Sequence, residues 1–135
     1  MASTIRLELV TPERLLLSEE VDEVVAPGYE GEFGVLPGHT QFLAILNIGM
    51  LWYRKESAVK KIALGGGFAE VTPERIVVLA DTAERTDEID VARAQRARDR
   101  AEARLKELSM DDETYRKAYA ELQRALVRMA AGGGE

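Results

Sequence analysis

Between Ile89 and Ala131 the sequence holds neither glycine nor proline, and alanine, arginine, leucine and glutamate dominate it. These are good helix formers, and the stretch reads as helical. Up to Asp81 the chain is instead punctuated by turn formers: Pro12, Pro27-Gly28, Pro37-Gly38, Asn47, Lys55-Glu56-Ser57, Gly65-Gly66 and Pro73. The chain therefore has two parts built on different periods.

In the first part the apolar residues run at strand period. Ile5, Leu7 and Leu9 alternate with Arg6, Glu8 and Val10, the pattern of a half-buried strand. Further runs lie at Leu15–Leu17, Val21–Val25, Gly34–Leu36, Phe42–Leu46, Gly49–Tyr53, Lys61–Leu64, Gly67–Val71 and Ile76–Ala80. Eight to ten short strands with such spacing in about 80 residues predict a sandwich or barrel. Val10-Thr11-Pro12-Glu13-Arg14 recurs as Val71-Thr72-Pro73-Glu74-Arg75. Nothing else around it repeats, so it reads as one turn chemistry used twice.

In the second part the period is helical. Ala94, Ala97, Ala101, Leu105 and Leu108 form one stripe, and Tyr115, Ala118, Leu122, Ala125 and Met129 another. Ser109-Met110-Asp111-Asp112 separates them, with Asp90 expected to cap the first helix and Asp111 the second. So short a link predicts an antiparallel hairpin. Gly132-Gly133-Gly134 is expected to end the second helix, leaving 132–135 as a disordered tail. The domain division expected is 1–84 for the sandwich and 85–131 for the hairpin. A seam of alanine packs closely but weakly, since each alanine in place of leucine forgoes roughly three methylene-type groups at ~0.8 kcal/mol each. The hairpin should open before the sandwich does.

Composition narrows the function. Cysteine is absent and His39 is the single histidine, which excludes disulfides, thiolate chemistry and histidine metal clusters. Residues 1–83 carry 12 acidic and 7 basic side chains, which argues against nucleic acid as a partner; residues 84–130 carry 11 of each. No apolar run approaches the ~20 residues of a membrane span, and the N-terminus lacks the basic-then-apolar pattern of a signal or transit peptide.

One ordered set of segments is more specific. Gly31-Glu32-Phe33-Gly34-Val35-Leu36-Pro37-Gly38-His39-Thr40 is followed by Gly49-Met50-Leu51, Gly66-Gly67-Phe68-Ala69-Glu70-Val71, Val78-Leu79-Ala80-Asp81-Thr82-Ala83-Glu84 and Ile89-Asp90-Val91-Ala92-Arg93-Ala94. Over nearly its whole length the chain resembles the epsilon subunit of bacterial and chloroplast F-type ATP synthases. The resemblance implies an α+β fold: an antiparallel β-sandwich of about ten strands followed by a two-helix hairpin. It implies a non-catalytic rotor subunit of the proton-translocating enzyme, placed against the gamma subunit and the c-subunit ring. Its hairpin would extend toward the alpha and beta catalytic subunits to inhibit ATP hydrolysis. The location implied is the cytoplasmic face of the bacterial inner membrane, held there only through the complex, with chloroplast stroma as the alternative.

The resemblance also assigns residues. Glu32 would face the polar loops of the c-ring, the alternative being a solvated turn. His39 would pin its loop or touch the ring, and a histidine satisfied by loop carbonyls is an equal reading. Gly65-Gly66-Gly67 is not a phosphate loop, because no Gly-Lys-Ser/Thr follows and Phe68 opens a strand. Arg124 and Arg128 share one face of the second helix. Arg93 lies 17 residues before Met110 and Arg128 lies 18 after it, so the two come to one height in a closed hairpin, with Arg124 roughly 6 Å nearer the turn. Three converging guanidinium groups suit a polyphosphate. By the resemblance, Glu84, Asp90, Arg93, Ala94, Arg124 and Arg128 would bind ATP as a regulatory ligand, no other cofactor being required. The alternative is an ion-pair network with Glu84, Asp87, Glu88 or Asp90. Arg93, Arg96, Arg100 and Arg104 form a basic stripe, which is a solvated face or, in the extended state, a contact with an acidic segment of a catalytic subunit.

Three rival readings remain on sequence grounds: a coupling subunit that never senses nucleotide, a nucleotide-hydrolysing enzyme, and a free-standing sandwich that binds a ligand. The enzyme reading lacks a phosphate loop, a metal cluster and a base beside the arginines.

Overall fold

The structure is a computed structural model, and it describes residues 4–133. Eight strands form: β1 (Ile5–Val10), β2 (Leu15–Val21), β3 (Glu23–Gly28), β4 (Gly31–Val35), β5 (Phe42–Lys55), β6 (Ala58–Val71), β7 (Arg75–Ala80) and β8 (Ala83–Arg85). They hydrogen-bond in the order β2-β1-β7-β6-β5-β3-β4, with β8 beside β6. The pairing is antiparallel except between β1 and β7, which are parallel. The expected all-antiparallel sheet is corrected at this one pair.

The expected count of about ten falls to eight because two pairs of runs are continuous. β5 and β6 are 14 residues each and pair along their whole length, so Asn47 and Gly65-Gly66-Gly67 bend a ribbon instead of ending strands. Gly66 (φ +97°) and Gly67 (φ +146°) take backbone angles that side-chain-bearing residues rarely adopt. At this bend β6 changes partner. Ile62–Leu64 pair with β8, and Gly67–Val71 pair with β7. A Cβ at Gly65 would lie 2.1 Å from the Thr82 hydroxyl, and one at Gly67 would lie 2.1 Å from the Leu79 carbonyl oxygen. The three glycines are thus a strand bend with close backbone approach, as their lack of a following lysine and helix suggests.

The repeated Thr-Pro-Glu-Arg segments fold alike. The Thr11 N–H donates to the Arg14 carbonyl at 2.9 Å, and the Thr72 N–H donates to that of Arg75 at 2.8 Å. Each return bond, from Arg14 to Thr11 and from Arg75 to Thr72, is 3.3 Å. Proline sits in each where no donor is needed.

Alternation along the strands builds a single core. Ile5, Leu7, Leu9, Val21, Val24, Ala26, Leu51, Ile62, Val71, Ile76 and Val78 are buried and lie in one cluster drawn from β1–β8. Fully burying a valine, leucine or isoleucine side chain stabilises by roughly 1.5–3 kcal/mol.

A 3₁₀ turn, Thr86–Glu88, leads to α1 (Val91–Glu107) and α2 (Glu113–Gly133). The Asp90 carboxylate accepts the Arg93 N–H at 3.0 Å and caps α1 as expected. At α2 the expectation shifts by one residue: Asp112, not Asp111, accepts the Thr114 N–H, at 2.8 Å. α2 lies on β5 and β6, while α1 packs chiefly on α2. Ala94, Ala101, Ala118 and Ala125 are buried in these contacts. α2 also runs on through Gly132 and Gly133, past the expected end before Gly132. A Cβ at Gly132 would meet Ile89 Cγ2 at 2.8 Å and Val91 Cγ2 at 2.9 Å, so glycine lets the last turn close against the start of α1. Positions 134 and 135 of the expected tail lie outside the described residues.

Candidate functional site

β8 sets Glu84 opposite Ala63 of β6, next to the face of α2 that rests on the sheet. The Arg128 Nε donates to Glu84 Oε1, joining α2 to the sandwich. Both side chains are about two-thirds shielded, at 33% and 32% exposure. Arg124, one helical turn earlier, lines the same shallow depression with Thr82, Gly65 and Val127. Among the described residues the Arg124 guanidinium takes no ion-pair partner.

The rest of the predicted set lies at the start of α1. Asp90 spends Oδ1 on the helix cap, leaving Oδ2 with no protein donor among the described residues. Ala94 is buried, and Arg93 is exposed without an ion-pair partner among the described residues. Val91 beside Gly132 sets the register of the two helices. Arg93 then stands about half a turn, ~3 Å, from the level of Arg128. The closed hairpin thus joins Glu84, Arg124 and Arg128 at one spot and holds Arg93 near their level, exposed on the other helix. Of the predicted ion-pair network, the link from Arg128 to Glu84 forms, whereas Glu88 turns to Arg14 at 2.8 Å.

That second pair was not legible in the sequence, because its partners are 74 residues apart. Arg14 grips both Glu88 oxygens, and the Arg85 N–H donates to Oε1 at 2.9 Å. The Arg14 side-chain bond foremost, then the Arg85 amide, hold the Glu88 carboxyl below the usual range; Arg14 is raised in turn. These bonds tether the linker to the turn before β2.

Glu32 is exposed on β4, opposite Pro27, with no bonded partner among the described residues. The His39 ring bonds the Thr40 carbonyl through Nδ1 at 2.8 Å and leans on Phe42 at 5.2 Å, so a loop carbonyl does satisfy it. Arg93, Arg96, Arg100 and Arg104 are all exposed on α1.

Sequence reasoning missed an apolar row on the outer sheet face. Ile45 pairs with Phe68 and Phe68 with Leu79, side by side across β5, β6 and β7. They are 58%, 59% and 52% exposed, and Leu43 beside them is 78% exposed. The unbroken apolar run Phe42-Leu43-Ala44-Ile45-Leu46 carried the signal, since a strand apolar on both faces is ordinarily covered on both.

Comparison with known proteins agrees with this architecture. Residues 4–86 match the family model "ATP synthase, Delta/Epsilon chain, beta-sandwich domain", and residues 87–133 match the companion "long alpha-helix domain". The ATP synthase epsilon chain 2 of Syntrophotalea carbinolica is 52% identical over 98% of this chain and 96% of its own length. The epsilon chain of Geobacter sulfurreducens is 51% identical with the same coverage, and that of Nitratidesulfovibrio vulgaris is 49% identical over 98% of both. Among solved structures, a chain of the Euglena gracilis mitochondrial ATP synthase assembly (OSCP/F1/c-ring) superposes with a TM-score of 0.83 at 27% identity, covering 97% of this chain and 82% of that one.

A β-sandwich domain followed by a helical domain marks the delta/epsilon class of ATP synthase chains. The chain belongs to the bacterial F-type epsilon family, whose members are accessory chains and not the catalytic subunits. Among the described residues no helix is long and apolar enough to cross a membrane.

Proposed function

We propose that the chain couples the central stalk to the c-ring in a proton-translocating F-type synthase and restrains ATP hydrolysis through an ATP-sensitive hairpin. The observation that carries this reading is the closed hairpin, which sets Arg124 and Arg128 beside Glu84. ATP bound there favours the closed state by RT ln(1 + [ATP]/Kd), about 2.7 kcal/mol at a hundredfold excess over Kd. That is enough to bias a hairpin seamed with alanine between states a few kcal/mol apart. When ATP falls the hairpin extends, and its basic stripe meets the catalytic subunits. The apolar row of Ile45, Phe68 and Leu79 fits the gamma subunit, and exposed Glu32 with its loop fits the c-ring. In a bacterium these contacts hold the chain at the cytoplasmic face of the inner membrane.

A second reading is favoured by bonds already present. Arg128 pairs with Glu84 and Asp90 caps α1, so part of the set is satisfied without nucleotide. On that reading the chain couples the stalk and senses nothing. Calorimetric titration with ATP separates the two. Saturable one-to-one binding that Arg124→Ala/Arg128→Ala abolishes supports the sensor. Absence of binding at millimolar ATP leaves the structural reading, and an unchanged low-ATP hydrolysis rate after removal of the hairpin from the assembled enzyme sinks the brake.

A further inference from the structure

The linker between sandwich and hairpin is bonded to the sandwich up to Glu88 and to the hairpin from Asp90 on. Arg85 closes β8 opposite Ile62 of β6, and its Nη2 donates to the Leu16 carbonyl on the edge strand β2. The Thr86 hydroxyl donates to the Lys61 carbonyl of β6 at 3.4 Å. Arg14 grips Glu88 through Nη2 to Oε1 at 2.9 Å and Nη1 to Oε2 at 2.8 Å. The 3₁₀ turn also touches α2, but among the described residues no hydrogen bond or ion pair joins the two. Residues 90–133 are bonded to the sandwich once among the described residues, by Arg128 to Glu84. The rest of their hold is the packing of α2 on β5 and β6.

Attachment changes sides inside Ile89. Its N–H donates to the Thr86 carbonyl at 3.3 Å, within the turn, while its side chain lies against Gly132 of α2. Asp90 is already fixed to α1: its carboxylate accepts the Arg93 N–H and its carbonyl the Ala94 N–H, each at 3.0 Å. Ile89 (φ −89°, ψ 124°) and Asp90 (φ −87°, ψ 97°) are both extended, and no local hydrogen bond spans the peptide between them.

We infer that the Ile89–Asp90 peptide is the pivot on which the hairpin leaves the sandwich, with Arg14 and Glu88 clamping the linker behind it. This pivot presupposes the opening proposed above and gives it a place. Turning ψ of Ile89 and φ of Asp90 breaks one bond, Arg128 to Glu84. Lifting the linker as well breaks the four that hold Arg85, Thr86 and Glu88. Clamping to Glu88 leaves a joint of two residues, 89–90, instead of a loose segment of six, 85–90. The opened hairpin therefore swings over a restricted arc and redocks with less chain entropy to lose.

The test is a pair of distances, measured by pulsed electron resonance between spin labels on introduced cysteines in the whole chain, which has no cysteine of its own. One pair is Glu74→Cys on the sandwich with Asp87→Cys on the linker; the other is Glu74→Cys with Glu102→Cys on α1. All three positions are exposed. Arg128→Glu sets two carboxylates against each other at Glu84 and opens the hairpin. Glu102 lies 12 residues from Asp90, so a swing about the pivot carries its label by on the order of 10 Å or more. In that variant the 74–102 distance is expected to shift while the 74–87 distance keeps the parent's value. Adding Arg14→Ala is expected to broaden the 74–87 distribution as well. A 74–87 distance that moves with Arg14 intact overturns the pivot, as does one that Arg14→Ala leaves unchanged. An unmoved 74–102 distance in Arg128→Glu also overturns it, because the hairpin is then held by more than one bond and its packing. None of these outcomes depends on ATP, so the nucleotide reading and the pivot fail separately.

Discussion

Single residues act here mainly by tying distant segments together. Arg14 and Glu88 join the start of the sandwich to the linker, and the carboxylate does so only while ionised. Its folded-state pKa is depressed, so the tether contributes fully above the unfolded value of ~4.3 and is lost as pH falls through the lower folded value. Glu88→Gln should therefore be less stable than the parent at neutral pH, and the difference should narrow progressively as pH falls below ~4.3. Urea midpoints measured at a series of pH values from 7 downward check this; a gap that does not narrow as pH falls below ~4 contradicts it. His39 illustrates the opposite case, a residue whose conspicuous position resolves into a bond to the neighbouring Thr40 carbonyl.

Among the elements, the bend in β6 is the most constrained. Gly67 combines a positive φ with a carbonyl oxygen 2.1 Å from any added Cβ, so Gly67→Ala should cost about 3 kcal/mol or more in urea unfolding. Gly31 has φ +131° but open space around its Cβ position, and Gly31→Ala should cost only about 1–2 kcal/mol. Equal losses would mean that backbone angle, not contact, sets the requirement at both. The helices are held differently. Their seam is alanine, with glycine at the point where α2 closes on α1, and so α1 depends on α2 for most of its burial.

For the whole molecule, the consequence is a hierarchy of stability. Every member of the main core cluster comes from β1–β8, and none from the helices. A chain ending at Glu88 should keep a single cooperative thermal transition, with Tm lowered by less than about 10 °C. A broad transition, or loss of fold, would mean that α2 is part of the core. The same hierarchy suits the proposed extension of the hairpin, in which the helices would leave the sandwich without unfolding it.

The division into sandwich and hairpin was legible in the chain itself, because hydrophobic period and breaker placement are local properties. So were the Asp90 cap, the repeated turn and the opposed heights of Arg93 and Arg128. Continuity of β5 and β6, the parallel pairing of β1 with β7 and the extension of α2 through Gly132 were decided only by tertiary structure. In each, the deciding contact joins residues far apart in sequence: Gly67 with Leu79, β1 with β7, and Gly132 with Ile89. The same holds for function. The arginines could be named from their spacing, but whether they meet Glu84, and which outer face stays bare and apolar, depends on how α2 and the bent ribbon pack.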